Sequence, residues 1–161
     1  AGSAVYSGSG VPYQAPPGTL LRLVITARDA AGNATSTTRD VLVPYDDGAA
    51  PQQYAGWTAG SSSGSYGGRQ RSTTGSGTLT LRTSTNRVLV VGARCRSCGR
   101  FSVSVDGRVV QTVDTYGASS QRQRLLDLRL AGAPALHTIV LRALATAGRP
   151  RVVVDAVGLV A

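Results

Sequence analysis

Arg100-Phe101-Ser102-Val103-Ser104-Val105-Asp106-Gly107-Arg108-Val109-Val110 is the stretch whose reading decides the fold. Phe101, Val103 and Val105 alternate with Ser102, Ser104 and Asp106. A period of two sends the apolar side chains to one face of a strand and the polar ones to the other. Asp106-Gly107 supplies positive-φ residues for a tight turn, and Val109-Val110 opens the return strand. Just upstream, Arg87 to Gly92 is an apolar run of strand length.

The same pattern extends outward. Thr78-Leu79-Thr80-Leu81-Arg82 alternates, and Val109 to Thr115 continues the hairpin. Arg124 to Leu130 sets Leu126, Leu128 and Leu130 against Asp127 and Arg129. Ala131-Gly132-Ala133-Pro134 turns the chain into two last strands, His137 to Leu144 and Arg151 to Val160. About eight strands punctuated by turns predict an all-β jelly roll or sandwich. At the other end, Leu21 to Ala27 reads as a strand, Asp29 to Asn33 as a turn, and Ala34 to Val43 as the return strand, stopped by Pro44. Tyr45 to Gln53 has the composition of a linker. The expected organisation is therefore a hairpin unit over 1–44, a linker over 45–53 and a sandwich over 54–161.

The chain has 161 residues, enough for one sandwich with a real core. All 17 basic residues are arginine and all 8 acids are aspartate, giving +9. Such a surface suits anionic partners: nucleic acid, cell-wall polymers or acidic polysaccharides. The arginines are scattered from Arg22 to Arg151 and no nucleic-acid motif accompanies them, which disfavours nucleic acid. No apolar run approaches the roughly 18 residues of a membrane span. Ala1-Gly2-Ser3 reads as the interior of a longer precursor, a processed end or an expression scar.

Cys95 and Cys98 are the only cysteines. With His137 the sole histidine, they cannot complete a four-ligand zinc site. They lie between two strand runs, not at a helix start. The expectation is a small disulfide closing a hairpin loop in an oxidising compartment. Arg94, Arg96 and Arg100 could lower a thiol pKa, so redox chemistry is the competing reading.

Acid–base hydrolysis needs two facing carboxylates, and Asp114 and Asp155 are the pair that could converge; the plainer reading has each bonding loop backbone. No strand-to-helix Gly-x-Ser-x-Gly elbow exists to make a serine nucleophile, and His137, at the entry to a strand, is the only histidine that could serve as its base. An enzyme is not expected. Asp46 and Asp47 are the candidate ligands for a structural calcium, the only cofactor considered, although adjacent acids in a polar turn are usually just solvated. Sugar binding would use exposed aromatics. Tyr66, in a Gly/Ser stretch, and Tyr116, after a strand end, are the better candidates; Trp57 reads more readily as a core residue. Arg122 and Arg124 could bond hydroxyls or the carboxylates of an acidic glycan.

Two resemblances sharpen this. Val24-Ile25-Thr26-Ala27-Arg28-Asp29-Ala30-Ala31-Gly32-Asn33-Ala34-Thr35, with Val41-Leu42-Val43-Pro44, resembles the last strands of bacterial Ig-like domains of secreted proteins. It covers only about 40 residues, where such a sandwich needs about seven strands. The likeness implies a partial Ig-like hairpin completed elsewhere, for instance by another polypeptide. Trp57, Ser65-Tyr66-Gly67-Gly68, Gly77-Thr78-Leu79-Thr80-Leu81, Val88-Leu89-Val90-Val91-Gly92, Val103-Ser104-Val105-Asp106-Gly107, His137-Thr138-Ile139-Val140-Leu141 and Val154-Asp155-Ala156-Val157 follow a second pattern. It resembles the C-terminal jelly-roll modules, similar to carbohydrate-binding modules, of secreted actinobacterial proteins. This likeness implies a non-catalytic module that binds a glycan or anionic cell-surface polymer outside the cell. The alternative is a structural or adhesive domain of a multi-chain extracellular assembly.

Overall fold

The computed structural model describes residues 15–49 and 51–160; Ala1-Gly2-Ser3 and the rest of the first 14 residues of the hairpin unit lie outside them. In chain order the strands are β1 (Leu20–Arg28), β2 (Ala34–Leu42), β3 (Tyr45–Asp46), β4 (Gln52–Ala55), β5 (Thr58–Ser61), β6 (Arg69–Thr73), β7 (Thr78–Thr85), β8 (Arg87–Arg94), β9 (Arg100–Val105), β10 (Arg108–Asp114), β11 (Gln121–Arg129), β12 (Ala135–Leu144) and β13 (Val152–Val160). A 3-10 turn, Tyr66–Gly68, precedes β6. One sheet has the order β10-β9-β12-β7-β4, and the other β11-β8-β13-β6-β5, with β3 added against β13. The two sheets form an all-β sandwich of jelly-roll type.

The Phe101 stretch folds as read. β9 and β10 pair antiparallel, and Asp106 and Gly107 turn the chain at φ 50° and 82°. Asp106 also ties this turn to β12. Its Oδ2 lies 2.7 Å from His137 Nδ1, and its Oδ1 accepts the Thr138 N–H at 2.9 Å. The His137 contact holds the Asp106 carboxyl below the usual range.

Alternation fills the space between the sheets. Leu79 and Leu81 of β7, Phe101 and Val103 of β9, and Ile139 and Leu141 of β12 face Val88 and Val90 of β8 and the core valines of β13. Each such side chain contributes roughly 1.5–3 kcal/mol by leaving water. β13 contains a bulge: Val154 pairs Gly92 but Ala156 pairs Val91. Val152 and Val154 face the core before it, Val157 and Leu159 after it, and Asp155 is the extra residue. Beside the bulge, Gly92 has no room for a side chain, because a Cβ there would meet the Val153 carbonyl.

Three expectations change. Tyr45–Gln53, read as a linker, carries β3 and the start of β4; Asp47 is buried, where solvation of both acids was the plainer expectation. The second unit holds ten strands where about eight were expected: the short β4 and the polar β6 carry no clear alternation to mark them. Cys95 and Cys98 do form a disulfide, but not in a hairpin loop. β8 and β9 belong to different sheets, so the bridge sits in a crossover.

β1 and β2 pair over their full length and stand apart as a two-stranded ribbon. Asp29 shapes their turn, its Oδ1 accepting the N–H groups of Ala31 and Asn33. The base of the ribbon meets the sandwich where Leu42 lies over Gly158. Farther out, Leu23, Val24, Ile25 and Val41 remain exposed.

Candidate functional site

The outer face of the six-stranded sheet carries the polar side chains the core excludes. Its centre is the bulge residue. Asp155 is 1% exposed, and its two oxygens accept the Tyr66 N–H at 3.0 and 3.2 Å. Arg122 of β11 approaches the same carboxylate at 3.5 Å. Burial nevertheless outweighs these contacts and pushes the Asp155 carboxyl upward, with Asp46 and Asp47 adding to the rise. The 62–68 segment is thereby laid across the sheet. Gly67, at φ 61°, passes so close to the Asp46 carboxylate that a Cβ would collide with it.

Arg122 fastens the other end of that segment. Its Nε donates to the Gly64 carbonyl at 2.9 Å, and Nη2 donates to Ser62 Oγ and Gln70 Oε1, both at 2.7 Å. Two hollows result. One, of about 510 Å³, is lined by Leu21, Val41, Leu42, Val43, Pro44 and Tyr66, with Ala15 at its margin. The other, of about 210 Å³, is polar and draws on Ser62, Gln70, Ser120, Arg122 and Arg151, over a floor of Ala93 and Val153, with Cys95 at its wall. Segment 62–68 divides them, with Ser62 in the polar hollow and Tyr66 in the apolar one.

Of the residues singled out from the sequence, Tyr66 and Arg122 come together here. The others do not. Tyr116 is half exposed but lines neither hollow; the Arg149 guanidinium lies 4.9 Å over its ring, and its backbone is bridged to Cys95. Arg124 pairs with Asp127, which Arg87 also holds at 2.8 Å. Trp57, immediately before β5, packs edge-on against Tyr54 and the core. Asp114 and Asp155 do not converge. They belong to different sheets, and each accepts a loop N–H, from Tyr116 and Tyr66 respectively. Arg149 pairs with Asp114 and holds its carboxyl below the usual range.

Asp47 is paired with arginine. Arg71 Nε donates to Asp47 Oδ2 at 3.1 Å, and Arg69 Nε lies 3.5 Å from Oδ1. Asp46 Oδ1 accepts the Asp47 N–H. Among the described residues no group of three or more His, Cys, Asp or Glu is placed to hold a metal, and no helix is long and apolar enough to cross a membrane.

The disulfide closes the wall of the polar hollow. The Cys95 and Cys98 Cα atoms are 4.9 Å apart, and the crossover is bonded to both neighbours: Gly99 N–H to the Arg151 carbonyl at 2.7 Å, and Arg151 N–H to Ser97 at 3.1 Å. A four-residue loop restricts the unfolded chain by only about 2 kcal/mol. Replacing both cysteines by serine should therefore lower stability by about that much in urea titration, leaving the protein folded. Global unfolding would show that the crossover depends on the bridge for its structure.

No family model matches the chain, and no curated protein matches it. Solved structures share the fold. A xanthan lyase from Paenibacillus superposes with a TM-score of 0.52 at 13% identity, over 87% of this chain but only 17% of the lyase. Two carbohydrate-binding modules are also similar, each with a TM-score of 0.47. The CBM36-1 domain of a multidomain xylanase from the hindgut metagenome of Trinervitermes trinervoides is 17% identical, over 66% of this chain and 88% of the module. A family 35 module from Clostridium thermocellum is 15% identical, over 71% and 94%.

Proposed function

We propose that this chain is a non-catalytic glycan-binding module of a secreted or surface bacterial protein. In this reading, residues 54–161 form the module and 1–44 the end of an Ig-like unit. The observation that carries it is a pair of neighbouring hollows, one polar on the face of the six-stranded sheet and one apolar between Tyr66 and the hairpin residues 21–44. An exposed ring, Tyr66, stands in an apolar groove beside a hollow of hydrogen-bonding side chains. A sugar polymer needs both: an apolar ring face to stack on, and directed polar groups for its hydroxyls. The fold likeness to carbohydrate-binding modules agrees with this reading. Tyr66→Ala should weaken binding on a glycan array by about tenfold, the scale of a ring contact worth roughly 1–1.5 kcal/mol. Unchanged binding would move the site off this face.

The exposed ribbon supports a second reading, a structural domain of a multi-chain assembly. An isolated two-stranded ribbon is marginal in water, and Val24 and Ile25 are 65% and 54% exposed. Another polypeptide would then complete the Ig-like unit over β1 and β2. Native mass spectrometry of the natural material separates the two readings: a co-purifying chain favours the assembly, a lone chain the module.

A further inference from the structure

The polar hollow differs from an ordinary sugar subsite in the balance of its side chains. A neutral hydroxyl both donates and accepts, so sites for neutral sugars mix acceptors with donors. Here two guanidinium groups, Arg122 and Arg151, share the hollow with Gln70, Ser62 and Ser120, and no carboxylate lines it. Gln70 Oε1 and Ser62 Oγ each accept a bond from Arg122 Nη2. The charged groups in the lining are both cationic donors, Arg122 and Arg151, beside the Gln70 amide and the Ser62 and Ser120 hydroxyls, which can donate as well as accept. Arg151 has no acidic partner and no side-chain hydrogen bond among the described residues, although it is only partly exposed. Its backbone is fixed at both ends, through Ser97 and Gly99. Asp155 lies behind Arg122, outside the lining, and its charge is the one opposed by burial.

Resting on the glycan-binding reading, we propose that this hollow is an oxyanion subsite that takes the acidic substituent of a sugar: the carboxylate of a uronic acid or a sulfate ester. Arg122 is held in place by Gly64, Ser62 and Gln70, so its remaining face is pre-oriented. Arg151 lines the same hollow and supplies the second cation. A planar guanidinium suits either oxyanion through paired N–H groups. The hollow holds one substituent and its ring, and the apolar groove beyond segment 62–68 takes the next stretch of chain.

The test is calorimetric titration with three probes of matched length: galacturonate oligomers, neutral galactose oligomers and galactose oligomers bearing 6-sulfate. Acidic probes should bind, and Arg151→Gln should weaken them by roughly tenfold or more, the scale of a charge-assisted hydrogen bond. Arg151 makes its fixed contacts through backbone, so this variant should fold. Arg108→Gln, on the other sheet, should leave affinity unchanged. Carboxylate and sulfate probes separate the two sources of the anion. If the neutral oligomer binds as tightly as the acidic ones, the oxyanion subsite is wrong and the glycan reading stands. If both arginine variants weaken binding equally, diffuse charge on a +9 chain is responsible and the subsite is wrong. If no probe binds, both readings fall.

Discussion

Phe101→Ala is expected to remove about 3–5 kcal/mol of stability and to lower the melting temperature by about 10 °C. The ring is 1% exposed and is the largest fully buried side chain. Its neighbours across the sheet are Val113 on β10 and Ala143 on β12. Both are too small to reach into the space left behind. Partners on the facing sheet, Val88 and Val90, are β-branched and held at single rotamers, so the cavity persists. Val109→Ser, in the same hairpin but 62% exposed, should change stability by no more than about 0.5 kcal/mol. Urea unfolding of the two variants measures both. A loss under about 1 kcal/mol for Phe101→Ala would mean that the sheets can close on the gap, and that the core is less tightly fixed than its burial implies.

What made Phe101 legible also marks the limit of the sequence. β7, β9 and β12 bury one face and wet the other, so their alternation is written in the residues. β5 is an edge strand with all four residues exposed, and β6, between it and β13, is polar and half-buried, so no sharp period marks either. β13 is covered on both faces, and its run of valines conceals the bulge: nothing local distinguishes Asp155 from an ordinary strand residue. Asp47 looks like part of a solvated turn until Arg69 and Arg71, more than 20 positions later, are folded against it. The site follows the same rule. Tyr66 shows itself as an aromatic among glycines and serines, and Arg122 as a charge near a strand start. Their partners Ser62, Gln70, Arg151 and Asp155 have no common local signal. They converge because strand order β11-β8-β13-β6-β5 places distant stretches side by side, and that order depends on which strands cross between sheets. Tyr116 and Arg124 lie apart from this cluster, each beside a partner, Arg149 and Asp127, that no local pattern announces.

Asp155 joins fold to site, and its two simplest replacements should behave differently. Asp155→Ala removes the acceptor of the Tyr66 N–H and the anion beside Arg122, in a place water does not reach. It is expected to cost about 3 kcal/mol, to free segment 62–68, and to abolish glycan binding by releasing Tyr66 and Ser62 together. Asp155→Asn keeps an acceptor for Tyr66 and discards only the charge. Because burial already disfavours that charge, the asparagine variant should stay within about 1 kcal/mol of the parent. The pH dependence supplies the sign. A carboxyl raised in the folded state binds more protons folded than unfolded, so stability falls as pH climbs from the ordinary aspartate range through the raised value. Asp114 and Asp127, held low by Arg149 and Arg87, act oppositely; their contribution is present above the ordinary range and lost as pH falls through their lowered values. The parent should therefore show a stability maximum in mildly acidic solution, with a decline above it that Asp155→Asn removes while the acid limb survives. Urea midpoints measured from pH 3 to pH 8 decide the matter (roughly the span of both windows). If the asparagine variant loses as much as the alanine one, and the decline with pH is absent from the parent, then the ion pair with Arg122 holds segment 62–68 in place and the Tyr66 hydrogen bond is secondary.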